Sequence, residues 1–354
     1  MRLLPFAIRA ATARATLTRG SLRTWNTSNA CVETSVQYGS RDRNLVDVYH
    51  PAGANESAAG LPVVLFVHGG VWSSGELWHY SAMGSDLASQ GCVVVVATYQ
   101  LYPQEFVPQQ VRDVEAALRW TEVNCHRYGG DPRKINLVGH SSGAHLSLMT
   151  VLARAGLHKD DDKPAEEAAG TMPKNVILMA GVYDITKHYE YERFRGVHSL
   201  SAMARANQGP ENFERFSPAI LLSEEAGRAS PSSSSEDVQE GIRKGIEVYE
   251  KERAELRQRG DLPSFLSKPV AGPREASDHF PGVHLLSGLS DDVVPWYWSN
   301  ELATKLERKG ISFSNQVYAG ASHLDFIACW GRGENLREHL KNIRSDVLEI
   351  VKRS

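Results

Sequence analysis

The chain has only four cysteines, Cys31, Cys92, Cys125 and Cys329, with no CxxC pair and no Cys/His ligand spacing among them. Their scatter excludes a disulfide framework and a zinc module as the basis of the fold. Cys92 opens an apolar strand and Cys125 falls late in a helical pattern, so core packing accounts for them. There is no HExxH and no other ligand cluster, so no metal is expected, and nothing in the sequence asks for a cofactor. Long hydrophobic runs are also lacking. The longest, "VVLFV" and "CVVVVA", are strand-length, against the roughly 18 residues a membrane helix needs. No transmembrane segment is expected, and the body of the protein should be soluble. Neither sign of charge dominates: 39 Lys and Arg face 42 Asp and Glu, a net charge of −3. Nucleic acid and anionic membrane therefore have no electrostatic claim as partners. No internal repeat is present, and no feature specifies an oligomeric state.

Acidic residues are missing before Glu33, and residues 1–32 carry five arginines among many Ser and Thr. That composition suits a mitochondrial or plastid transit peptide; the alternative is a disordered basic tail on a cytoplasmic protein. A secretory signal is not expected, because the apolar segment is short and broken by Arg9.

From residue 34 the pattern turns strand-rich. "TSVQYGS" and "NLVDVYH" alternate polar and apolar residues as antiparallel edge strands do. Continuous apolar runs follow, at 62–70, 92–100, 134–141, 175–184, 282–290 and 311–320, separated by helical patterns at about 77–90, 107–130, 142–156, 296–309 and 334–352. Buried strands alternating with helices predict an α/β fold with a mostly parallel sheet covered on both faces. We expect one such domain over residues 33–354. Residues 223–280 interrupt the rhythm with "RASPSSSSEDVQEG" and then a charged helical pattern. They read as a low-complexity, solvated insertion.

The segment "NLVGHSSGAHLSL" (136–148) holds the G-x-S-x-G pattern, with Ser141 at its centre between a predicted strand and a predicted helix. Gly139 and Gly143 permit the sharp turn that lifts the serine hydroxyl off the sheet, and the helix N-terminus behind it favours developing negative charge. The spacing makes Ser141 the candidate nucleophile and Ser142 the donor of a backbone N–H to an oxyanion. His140 and His145 are poorly placed as bases and read as packing and hydrogen-bonding residues around the turn. A second motif, "FVHGGVW" (66–72), follows an apolar strand where an acyl-transfer enzyme of this kind supplies its other oxyanion donors. Gly70 and Val71 are the expected donors, Gly69 allows close approach, and His68 braces the loop.

An acid and a base must follow the serine. Asp291, first off the strand in "SGLSDDVVPW", is the expected acid; Asp292 is its near rival and Asp184 a remoter one. His323, in "YAGASHLDF" before the last helix, is the expected base. The other histidines, among them His188, His198, His279 and His284, lack such placement. Trp72, Trp296 and Trp298 either shape an apolar pocket or belong to the core.

"HGGVW", "YGGDP" and "GHSSGAH" together resemble the α/β-hydrolase branch that contains isoprenylcysteine α-carbonyl methylesterases and kynurenine formamidases. "GVYDITKHYEYERFRGVHSLSAMA" with "FERFSPAILL" is more similar to the methylesterase-like side. The resemblance covers roughly residues 60–222 and 282–345 and implies an α/β-hydrolase fold with a cap built from about 186–205. It departs from the family in lacking the membrane-spanning segments often found there and in carrying the 223–280 insertion. The expected function is serine hydrolysis of a small carboxylic ester, such as a methyl ester. Arylformamidase activity on N-formylkynurenine and ligand binding without turnover are the alternatives.

Overall fold

A computed structural model of the chain describes residues 29–54, 60–158, 170–223, 236–259, 280–330 and 336–354. The basic segment up to residue 28, the serine run at 230–235 and His279 lie outside the described residues.

Among the described residues eight strands form one sheet: β1 (Ala30–Gln37), β2 (Leu45–Pro51), β3 (Leu61–Val67), β4 (Val93–Ala97), β5 (Gly130–His140), β6 (Asn175–Met179), β7 (Gly282–Gly288) and β8 (Phe313–Tyr318). Their order is β1-β2-β4-β3-β5-β6-β7-β8. The β1–β2 and β2–β4 pairs are antiparallel, and the remaining pairs are parallel. Side chains of a strand point alternately to opposite faces. In β3 this sorts Val63, Leu65 and Val67 into one apolar cluster and Val64 and Phe66 into another. The apolar runs are continuous because helices cover both faces.

The principal helices are α1 (Ser81–Ser89), α2 (Val107–Asn124), α3 (Ser142–Arg154), α4 (Ile185–Phe194), α5 (Met203–Ala206), α6 (Pro218–Leu221), α7 (Glu236–Arg259), α8 (Tyr297–Arg308), α9 (Asp325–Ala328) and α10 (Glu338–Lys352). Two of them show the amphipathic stripe by which a helix packs on its neighbours. α10 buries Leu340, Ile343, Val347 and Val351; α2 buries Val107, Val111, Val114 and Leu118. This is the α/β-hydrolase fold. Among the described residues no helix is long and apolar enough to cross a membrane.

One expectation is overturned. The charged helix of the insertion, α7, is docked against the domain instead of standing in solvent. Ile246 and Leu256 are buried, and Ile242 and Tyr249 are partly buried against the same core. Together with Arg253 they recur every three or four residues and form one stripe along the helix. The polar and charged residues that dominate the composition occupy the rest of the circumference and hide that stripe.

Candidate active site

Register brings the motifs to one edge of the sheet. Val67 ends β3 opposite Gly139 of β5, so the HGG loop and the serine turn leave the sheet side by side. Gly288 ends β7 opposite Tyr318 of β8, and the loops carrying Asp291 and His323 begin there. All four loops leave the C-terminal ends of parallel strands, where open α/β sheets form their binding crevices.

Ser141 has φ 56° and ψ −124°, a strained conformation for a serine, at the junction between β5 and α3. Its N–H donates to the Met179 carbonyl at 2.9 Å. Two close approaches make the turn possible. A Cβ on Gly143 would lie 2.1 Å from the Val67 carbonyl oxygen and 2.4 Å from that of His68. A Cβ on Gly69 would lie 2.9 Å from the Ser141 Cβ, so the HGG loop runs directly against the serine. Gly70 has φ 136°, which disfavours any side chain, and its carbonyl accepts from the N–H groups of Ser73 and Ser74. Val71 and Trp72 also take positive φ, so the loop is held in an unusual course. The N–H of Ser142 belongs to the first turn of α3, where amides have no partner within the helix.

Ser141 Oγ lies 3.0 Å from His323 Nε2, and His323 Nδ1 lies 2.8 Å from Asp291 Oδ2. The other Asp291 oxygen, Oδ1, accepts from the N–H groups of Val293 and Val294, both at 2.8 Å. Asp291 is 0% exposed and Ser141 7% exposed. The rival carboxylates sit elsewhere. Asp292, with 46% of its side chain exposed, faces Arg253 and Arg257, and Asp184 caps α4 by accepting from the Lys187 N–H.

The remaining histidines of the motifs are scaffolding. His140 Nε2 donates to the His323 carbonyl at 2.9 Å, and burial pushes its pKa down to about 3. His145 Nδ1 accepts from the Trp72 indole at 3.2 Å while its Nε2 donates to the Phe216 carbonyl at 2.7 Å. His68 donates from Nδ1 to the Gly69 carbonyl at 2.9 Å and stacks on Tyr99 at 4.5 Å. Burial depresses His68 as well, to about 3, so it braces the loop as a neutral ring. Trp72, Trp296 and Trp298 are all buried in the core.

Sequence reasoning missed five residues near the Asp291 loop. His188, Tyr191 and Glu192 project from α4 onto the site. The Tyr191 hydroxyl donates to the Asp292 carbonyl at 3.0 Å, and His188 lies within the electrostatic reach of His323. Glu192 stands 3.9 Å from His188, and burial lifts its carboxyl to about 7. Arg195 donates to the same Asp292 carbonyl. Arg253 arrives from α7. Spacing in "HYEYER" could have flagged the first three as one helical face, but no local signal links Arg253 to a loop almost forty residues away in the sequence. A cavity of about 550 Å³ opens beside this region. It is lined by sequence neighbours of Asp291 and His323, among them Ser290, Asp292 and Ser322, and by none of Ser141, Asp291 or His323. Among the described residues no group of three or more His, Cys, Asp or Glu is placed to hold a metal ion.

The BD-FAE family model matches residues 46–227 of the chain. The isoprenylcysteine α-carbonyl methylesterase of Arabidopsis thaliana is 26% identical over 323 residues, covering 90% of this chain and 62% of its own length. A probable isoprenylcysteine α-carbonyl methylesterase of Oryza sativa subsp. japonica is 31% identical over 199 residues, covering 56% of this chain and 45% of its own. The chain thus spans about half the length of these curated relatives. Among solved structures, an inhibited esterase B from Lactobacillus rhamnosis superposes with a TM-score of 0.64 at 16% identity. That match covers 100% of this chain and 97% of the other, and at such identity it bears on the fold.

Proposed function

The chain belongs to the BD-FAE family, and we propose that it hydrolyses carboxylic esters through an acyl-enzyme on Ser141. The reading rests on one chain of contacts: Ser141 Oγ to His323 Nε2 at 3.0 Å, and His323 Nδ1 to Asp291 Oδ2 at 2.8 Å. In the proposed mechanism Ser141 Oγ attacks the carbonyl carbon and its proton passes to His323 Nε2. The negative charge that forms on the carbonyl oxygen is met by the N–H groups of Gly70, Val71 and Ser142. The intermediate collapses, the C–O bond to the alcohol breaks, and His323 gives its proton to the departing oxygen. Water then attacks the acyl-serine, yielding its proton to His323, and the carboxylic acid leaves as Ser141 is restored. Asp291 keeps Nδ1 protonated and stabilises the imidazolium throughout.

For the substrate class we favour small methyl esters, because the curated relatives are named as methylesterases and the α4 block resembles theirs. Two experiments test the reading. A fluorophosphonate probe should label the wild type and leave Ser141→Ala unlabelled; an unlabelled wild type refutes the serine-hydrolase mechanism. Turnover of p-nitrophenyl acetate, a farnesylcysteine methyl ester and N-formylkynurenine should favour the esters. A strong preference for the formyl amide would replace esterase by amidase as the function.

A further inference from the structure

We propose that Arg253, on the inserted helix α7, is a positioning residue for the triad acid: its guanidinium holds the main chain of Asp291 so that the carboxylate stays aligned with His323. This rests on the reading of Ser141, His323 and Asp291 as a triad.

Arg253 occupies a place in the α7 stripe where the neighbouring positions carry Ile246, Tyr249 and Leu256, yet it is only 6% exposed. A buried cation is costly unless paired and hydrogen-bonded, and the partners explain its presence. One guanidinium nitrogen donates to the Asp291 carbonyl at 2.6 Å. Another faces Glu250 and, at 3.2 Å, Asp292. The planar fork of arginine suits this double task, since it can satisfy a carbonyl and a carboxylate at once.

The same helix takes a second carbonyl of the loop, two residues earlier. Arg257 donates to the Leu289 carbonyl at 3.2 Å and to the Asp292 carboxylate at 2.9 Å. From the other side Tyr191 of α4 and Arg195, the residue that follows its end, donate to the Asp292 carbonyl. Carbonyls 289, 291 and 292 are therefore each held by a side chain from α4 or α7. The Asp291 carboxylate itself is fully used by two amides and the imidazole. A buried loop without such donors would leave its carbonyls unpaired or would shift to find partners. A displacement on the order of 1 Å in a catalytic group can cost about a hundredfold in rate. The insertion is in this way part of the site's support.

Helix α7 has anchors that do not involve Arg253. Tyr249 stacks on Tyr297 at 4.6 Å, the Tyr297 hydroxyl donates to Glu250 at 3.1 Å, and Ile246 and Leu256 are buried. A substitution at 253 should therefore loosen the Asp291 loop and leave the helix docked.

The test uses the full chain with p-nitrophenyl acetate, comparing wild type with Arg253→Met and Arg253→Lys. Arg253→Met should lose about tenfold to a hundredfold in kcat with KM within about twofold. Arg253→Lys, which keeps the charge and one donor, should recover part of kcat. A folded Arg253→Met with wild-type kcat overturns the proposal. So does a loss confined to KM, or one that Arg253→Lys fails to relieve while both variants melt early. Should Arg253→Met not fold, Arg253→Gln is read by the same criteria. A wild type that neither turns over the ester nor labels at Ser141 refutes the ester-hydrolase reading, and this proposal with it. An active wild type with an indifferent Arg253→Met refutes the role of Arg253 alone.

Discussion

Asp291→Asn tests the triad at the point where geometry makes the sharpest demand. The two Asp291 oxygens have different partners. Oδ1 accepts from the Val293 and Val294 amides, both at 2.8 Å, and Oδ2 accepts from His323 Nδ1 at 2.8 Å. An asparagine has one acceptor and one donor to place in these two positions. If its NH2 group faced Val293 and Val294, two N–H groups, that of Val294 buried, would lose their acceptor, at about 1–3 kcal/mol for the buried one. The oxygen therefore stays with the amides and the NH2 group faces His323. Nδ1 must then accept, its proton moves to Nε2, and the nitrogen that should take the Ser141 proton already carries one. This tautomer change is expected to lower kcat about 10⁴-fold, or roughly 5.5 kcal/mol of transition-state stabilisation. Fold and KM should stay close to wild type, because the amide is isosteric and its packing unchanged. The assay is steady-state hydrolysis of p-nitrophenyl acetate with the rate of fluorophosphonate labelling as a second reading. The counterpart, Asp292→Asn, alters a half-exposed carboxylate and should stay within about tenfold of wild type. A loss of less than tenfold in Asp291→Asn, or a larger loss in Asp292→Asn, would refute the assignment of Asp291 as the acid.

Gly143→Ala should abolish most activity and destabilise the protein by about 1–3 kcal/mol or more, since the added methyl meets the Val67 and His68 carbonyls at 2.1 and 2.4 Å; a wild-type melting curve would contradict the close packing of α3 on β3. Burial raises the Glu192 carboxyl to about 7. Between its usual pKa and that value the unfolded chain gives up the proton first, so the folded state is progressively penalised as pH rises, by at most about 3 kcal/mol. Glu192→Gln should therefore melt higher than wild type at pH 8 and near it below pH 4.5, whereas an equal difference at both pH values would disprove the linkage. Burial also pushes the thiols of Cys92 and Cys125 up to about 11 and holds that of Cys329 well above its usual value, while Cys31 is exposed. A disulfide reagent at neutral pH should thus titrate one thiol in the native protein and four after denaturation, and a second fast native thiol would contradict the burial of the other three.

How much of this was legible in the sequence depended on whether the cause was local. The buried strands could be read because full burial on both faces demands uninterrupted apolar runs, and the serine turn because only glycine fits where a Cβ at 143 would strike the Val67 carbonyl. Element ends were read less well. The strand expected at 175–184 stops at Met179, because Ala180 turns away with φ 48° although the apolar run continues. The strand expected from 134 begins at Gly130, where "GGDPRK" gives no apolar signal and pairing with Leu61 supplies the cause.

The insertion marks the deeper limit. Composition made α7 look solvated because charge was counted around the whole helix, whereas docking depends on one stripe. In that stripe the sequence places an arginine among Ile246, Tyr249 and Leu256, which by hydropathy reads as a break in the pattern. Structurally the break is the point of the helix. A leucine at 253 would satisfy the stripe but leave the Asp291 carbonyl and Glu250 without their guanidinium partner and Asp292 with Arg257 alone. The loop and the helix must therefore be read together: the polar residue that lowers the apparent quality of the amphipathic pattern is the one that satisfies the loop's main chain. The same reasoning applies to α4, where Tyr191 and Arg195 lie one turn apart and both end on the Asp292 carbonyl. Two helices, α4 and α7 of the insertion, converge on the carbonyls of residues 289, 291 and 292 in the Asp291 loop, and that convergence exists only in three dimensions.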